Sequence, residues 1–143
     1  MTTSLNERVV QLILPSAIGY ERIAMSSLAS FAAMYNFPAE RIEDLKTVIA
    51  EAAINAMQHG NNWRPDAEVH IRFYFFNDAI QIFVTDEGEG IKDLLPWPDI
   101  DRIVEQLDPP AGFGVYLIRQ LADEVEFNAA AENGHCLKMV IKK

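Results

Sequence analysis

The sequence predicts an α+β two-layer sandwich, a mixed, mainly antiparallel sheet with helices on one face, and three patterns predict it. Two segments with helical spacing follow one short apolar run near the N-terminus. Two later pairs of alternating segments read as hairpins. Between those pairs a glycine-opened helix follows a long stretch rich in glycine and proline.

Each element has its own warrant. Val9 to Leu14 is a mostly apolar run ended by Pro15, and it reads as a first strand. Tyr20 to Tyr35 has helical periodicity, with Ile23, Leu28, Phe31 and Met34 as its expected core residues. Pro38 stands where a first helical turn tolerates proline, and a long helix runs from there to about His59, closed by Gly60. Val69, Ile71, Phe73 and Phe75 alternate with His70, Arg72 and Tyr74, as in a strand with one buried face. Asn77-Asp78 is a tight-turn pair, and Ile80, Ile82 and Val84 alternate after it. Asp86 stands at the end of that second strand. Gly112-Phe113-Gly114 opens a helix to about Ala122. Val125 to Phe127 begins a strand, Asn133-Gly134 makes a turn, and Cys136 to Ile141 completes the second hairpin. The expected order is β-α-α-β-β-loop-α-β-β.

Bulk properties narrow the function classes. The 143 residues suit one domain spanning 1–143, and a hydrophobic share of 50% suffices for a packed core. A formal charge of -9 repels a phosphate backbone, so a nucleic-acid partner is not expected. Cys136 is the only cysteine, and no Cys/His cluster has metal-ligand spacing. The N-terminus lacks a basic and apolar leader pattern, and no apolar run approaches a membrane span. A cytoplasmic protein with no membrane contact is the expectation.

Three patches have residue types suited to chemistry. Glu51, Asn55 and His59 are spaced i, i+4, i+8 and form one stripe along the rim of the apolar face of Leu45, Val48, Ile49, Ala52 and Ala56. A carboxylate and an amide there are half desolvated, as metal ligation and proton transfer require. Asp86-Glu87-Gly88-Glu89-Gly90 sets an acid at a strand end before two glycines that admit a close ligand. Gly112-Phe113-Gly114 leaves free N–H groups at a helix start, a natural phosphate site. Alone, each patch has an ordinary structural reading: a solvated helix edge, an acidic turn, a tightly packed helix start. His59, His70 and His135 show no pH-switch pattern.

Together and in this order, the patches resemble the N, G1 and G2 boxes of the Bergerat-type ATP-binding fold, the GHKL or histidine-kinase-like ATPase superfamily. Within it, Glu51 through Gly60 together with Gly114 through Val125 resemble the signature of the small anti-sigma-factor serine/threonine kinases. The resemblance runs from about Val9 to Ile141. It implies ATP and Mg²⁺ as cofactors. Asp86 would accept a hydrogen bond from the adenine amino group, and Asn55 would hold Mg²⁺. Glu51 would be the catalytic base. Gly88 and Gly90 would line the adenine side, with Gly112, Phe113 and Gly114 at the phosphates and His59 at the end of the nucleotide-binding helix motif. Residues 91–111 would form the ATP lid. It further implies a homodimer that holds a sigma factor or phosphorylates a STAS-type antagonist, a partner-switching logic.

Two departures bear on turnover. Pro109-Pro110-Ala111 stands where family members often carry an arginine before the second glycine box. The lid segment carries Asp93, Asp99, Asp101, Glu105 and Asp108 against only Lys92 and Arg102. Negative charge near a triphosphate opposes binding unless it points away. The alternative is therefore a catalytically weak ATP-binding module that controls its partner by binding alone.

Overall fold

The computed structural model describes residues 8–88, 112–129 and 134–143. Strand β1 (Val10–Pro15) leads into α1 (Glu21–Met34) and α2 (Ala39–Asn55), and a π-helical turn (Ala56–Gly60) extends α2. Then come β2 (Glu68–Phe76), β3 (Ala79–Thr85), α3 (Gly112–Leu121), β4 (Glu124–Ala129) and β5 (His135–Lys142). The five strands form one sheet in the order β1-β2-β3-β5-β4. Every neighbouring pair is antiparallel. The expected element order and layer arrangement hold.

Alternation along the strands puts one side-chain set into the core. Val69, Ile71, Phe73, Ile80, Ile82, Val84, Leu137, Met139 and Ile141 are buried on the sheet, under Leu28 and Phe31 of α1 and Leu45, Val48 and Ile49 of α2. Ile118 carries α3 into the same cluster. The β2–β3 hairpin closes through Asn77 and Asp78, both at φ 58, the left-handed pair that a two-residue type I′ turn demands. In the second hairpin Gly134 has φ 92, as a turn glycine does, while Asn133 lies outside the described residues.

The buried face of α1 differs from the expected one. Leu28 and Phe31 are buried, but Ile23 is 47% exposed and Met34 73% exposed. Their places are taken by Ala24 and Ala32, which make an i, i+4, i+7, i+8 stripe with Leu28 and Phe31. Small residues at both ends of that stripe let α1 lie close to its neighbours, and the larger side chains turn to solvent. Pro38 is one place earlier than expected: it caps α2 in an extended conformation (φ -65, ψ 153) instead of opening its first turn.

Arg41, on the first turn of α2, ties the layers together at the far end. Its guanidinium meets Asp44 at 3.0 Å and Asp123 at 2.8 Å. It also donates to the carbonyls of Leu121 and Lys142, so one side chain joins α2, the end of α3 and β5. Among the described residues, no helix is long and apolar enough to cross a membrane.

Candidate functional site

The C-terminal half of α2 places the first group of side chains. Apolar residues at Leu45, Val48, Ile49, Ala52 and Ala53 bury one face of this helix, which leaves Glu51 and Asn55 half-buried at its edge. They are one helical turn apart and share that edge, as the i, i+4 spacing predicts. His59 departs from the stripe. The chain switches after Asn55 to a π turn, in which Asn61 N–H donates to the Ala56 carbonyl at 2.8 Å. That i→i+5 bond winds the backbone more slowly than an α turn, and His59 ends exposed. Such turns recur at functional sites because they re-aim the residues that follow.

Glu51 faces the start of α3. A methyl group on Gly114 would come within 2.6 Å of Glu51 Oε2, so the carboxylate lies against a position that must lack a side chain. The helix motif and the second glycine motif are therefore in contact, and a carboxylate stands beside the amino-terminal turn of α3. Asn55 supplies the other unusual feature. Its Nδ2 is the one buried side-chain nitrogen or oxygen among the described residues with no hydrogen-bond partner. A buried amide left unpaired costs about 1–3 kcal/mol. A half-turn of the amide would present its oxygen at the same point, an acceptor suited to a hard cation. The residues thus fit a bound Mg²⁺.

Asp86 follows β3 directly and is 7% exposed. Its Oδ1 accepts the backbone N–H groups of Gly88 and His135, both at 3.0 Å. Its Oδ2 lies 3.3 Å from Nδ1 of His135, itself buried. An ionised carboxylate offers about four lone-pair positions. Among the described residues three are engaged, one of them by the His135 ring in its Nδ1–H tautomer, which leaves one for a ligand. Gly60 presses on the same carboxylate: a Cβ on Gly60 would overlap Asp86, and one on Gly88 would overlap the Gly60 carbonyl. Gly60 was expected as a helix-stopping glycine. Its φ is not positive, and its lack of a side chain serves this close approach instead.

Asn61 joins these parts and was not anticipated. It is fully buried. Its Nδ2 donates to Ser16 Oγ at 2.9 Å and to the Glu68 carbonyl at 3.0 Å, and its Oδ1 accepts the Glu87 N–H at 2.7 Å. Arg64 then donates to the Glu87 carbonyl at 2.9 Å. The segment after Asp86 is thus pinned to the end of α2 and the start of β2. Asn61→Ala should lower stability by about 3 kcal/mol, because it strands the Glu68 carbonyl and the Glu87 N–H. Thermal unfolding would show this as a drop of roughly 10 °C in Tm. A drop of a degree or less would mean that water replaces the amide. The only sequence signal was an asparagine run after a helix, which turns commonly contain.

His135 was likewise missed as a partner of Asp86, since pairing across strands of different hairpins is not visible along the chain. Of the remaining expected site residues, Gly112 opens α3 as predicted, and Phe113 lies in its first turn with a side chain outside the described residues. Gly90 and the whole 91–111 segment, with its acidic residues and Pro109-Pro110-Ala111, also lie outside them.

Comparison with known proteins agrees with this geometry. Residues 14–141 match the histidine kinase-like ATPase domain family. The chain is 30% identical to the serine-protein kinase RsbW of Oceanobacillus iheyensis over 134 residues, covering 86% of this chain and 80% of the relative. Against RsbW of Bacillus subtilis the identity is 33% over 126 residues, covering 84% and 78%. The anti-sigma F factor of Oceanobacillus iheyensis is 30% identical over 127 residues, covering 83% and 82%. The family match takes in all three motifs and every helix and strand except most of β1 and the last residue of β5, and the chain belongs to the histidine kinase-like ATPase domain family.

Proposed function

We propose that this chain is an ATP-dependent serine/threonine protein kinase that acts as an anti-sigma regulator. The observation that carries the reading is the convergence of the three motifs, with Glu51 against Gly114 and Gly60 against Asp86 and Gly88. The names of the relatives, serine-protein kinase and anti-sigma F factor, supply the class of activity.

Asp86 reads the adenine through its remaining lone pair, and Gly88 keeps the backbone beside it open. Gly112 and Gly114 admit the phosphates to the N–H groups at the start of α3. Asn55 would hold Mg²⁺, which when bound offsets charge on the phosphates. Glu51 orients the hydroxyl of a substrate serine or threonine and accepts its proton. The hydroxyl oxygen bonds to the γ-phosphorus as the bond from that phosphorus to the ADP oxygen breaks. The products are ADP and a phosphorylated partner.

The protein partners on this reading are a sigma factor and its STAS-domain antagonist, which exchange on phosphorylation, in the cytoplasm. A homodimer suits the exposed apolar residues of β1 and the approach to α1. Ile13 is 58% exposed, Ile18 69% and Tyr20 42%, apolar surface that a partner would cover.

The test is incubation of the purified chain with Mg-ATP labelled on the γ-phosphate and the STAS-domain protein of its own organism. Label on a serine or threonine of that protein is the expected result. Nucleotide binding without transfer would favour the binding-only module, for which the acidic 91–111 segment argues. A folded chain that binds no nucleotide would overturn both readings.

A further inference from the structure

We infer that Glu68, His70 and Glu87 form a binding site for a zinc-class divalent metal ion. Glu87 belongs to the first glycine motif, but Glu68 and His70 lie outside the nucleotide motifs, and the site does not rest on the kinase reading. Glu68 and His70 are two residues apart on β2, so their side chains share the solvent face of the sheet. The β2–β3 pairing ends at His70 and Thr85, and two residues further along each strand Asn61 bridges the Glu68 carbonyl and the Glu87 N–H. The fold therefore places two exposed carboxylates across from each other with an imidazole beside both. Like charges in that relation repel. A cation between them removes the repulsion.

The distances suit coordination. His70 Nε2 lies 3.0 Å from Glu87 Oε2 and 3.6 Å from Glu68 Oε1. One donor atom from each of the three residues can be chosen so that all lie within 4.8 Å of one another. Tetrahedral zinc with bonds of about 2.0–2.2 Å separates its ligands by about 3.3–3.6 Å, which the two His70 distances match within a few tenths of an ångström, and the exposed glutamate side chains can rotate to close the remaining gap between them. An imidazole with two carboxylates suits zinc better than Mg²⁺ or Ca²⁺, which take oxygen alone. Three protein ligands leave a fourth position for water.

The ligands are also pre-set. Asn61 and Arg64 hold the backbone of Glu87 from both sides, through its N–H and its carbonyl. The cationic side chains on neighbouring positions have other partners, Lys138 lying 5.8 Å from the Phe83 ring. The Arg64 guanidinium is spent on the Asn61 and Glu87 carbonyls, and that of Arg72 lies 4.4 Å over the Phe83 ring. The chain's charge of -9 favours a cation at long range. Since Glu87 follows Asp86 directly, a bound ion would clamp β2 to the segment that carries Asp86.

The experiment is a calorimetric titration of Zn²⁺ into the chelator-treated full chain without nucleotide, with Co²⁺ absorption as the coordination reporter. We expect a single ion per chain, undisturbed by millimolar Mg²⁺. Each of Glu68→Gln, His70→Asn and Glu87→Gln should weaken binding by more than the ~10–100-fold that loss of an outer-shell partner costs. Zinc should raise the thermal midpoint of the wild type and not of His70→Asn. All three side chains are exposed, so the variants should keep the wild-type circular dichroism. Cys136→Ser removes the chain's one thiol and should bind as the wild type does. No saturable binding, binding that survives His70→Asn, or binding lost in Cys136→Ser would each overturn the assignment.

Discussion

Glu51→Gln should cut phosphoryl transfer by about 10²–10⁴-fold while Mg-ATP binding stays near the wild-type level. The size follows from what the substitution removes. Glutamine keeps the shape and reach of the side chain, so the contact with Gly114 at the start of α3 survives. It cannot take a proton from the attacking hydroxyl. General-base catalysis is worth that range of rate, and positioning and charge stabilisation remain as the residual activity. Binding is spared because Glu51 is on α2 and Asp86 follows β3, each held by different neighbours. If anything, loss of one negative charge beside the phosphates tightens the nucleotide slightly. Single-turnover transfer at saturating Mg-ATP, with affinity from calorimetry, separates the two effects. A rate within a few-fold of the wild type would remove Glu51 as the base. A matching loss of affinity would make it a binding residue instead.

Much of this arrangement was legible in the chain itself, and the exceptions have physical reasons. Period-two alternation located β2 and β3, because one sheet face is covered by helices and the other is not. The i, i+4 spacing put Glu51 and Asn55 on one helix edge. His59 failed to follow because periodicity assumes an unbroken α register, and the π turn from Ala56 to Gly60 breaks it. Ile23 and Met34 were placed inside because they are large and apolar, yet α1 buries Ala24 and Ala32. Hydrophobicity ranks residues, but the spacing between packed helices decides which size fits. Asn61, Arg41 and the Asp86–His135 pair stayed hidden for one shared reason. Each works through partners tens of residues away, and a single sequence shows spacing along the chain, not distance across it.

Asp86→Asn should weaken ATP binding by about 10²–10³-fold and leave the protein folded. The change swaps one carboxylate oxygen for an NH₂ group. The oxygen that accepts from Gly88 and His135 can remain, so both backbone bonds survive. The new NH₂ then faces His135 Nδ1, 3.3 Å from the oxygen it replaces, and the imidazole can accept from it in its other tautomer. The fold therefore loses little. A ligand loses more, because the adenine amino group is a donor and would meet a donor where the carboxylate had been. Loss of a charge-assisted hydrogen bond together with an unpaired buried donor amounts to about 3–4 kcal/mol, with ~1.4 kcal/mol per tenfold in affinity. The same geometry sets the purine preference. The guanine carbonyl oxygen is repelled by the Asp86 carboxylate but can accept from the asparagine NH₂, so the variant should narrow the gap between ATP and GTP. Parallel calorimetric titrations of Mg-ATP and Mg-GTP, with Tm as the fold control, read all three expectations. Unchanged ATP affinity in a folded variant would move base recognition away from Asp86. Equal losses for both nucleotides would mean that Asp86 shapes the pocket without reading the base.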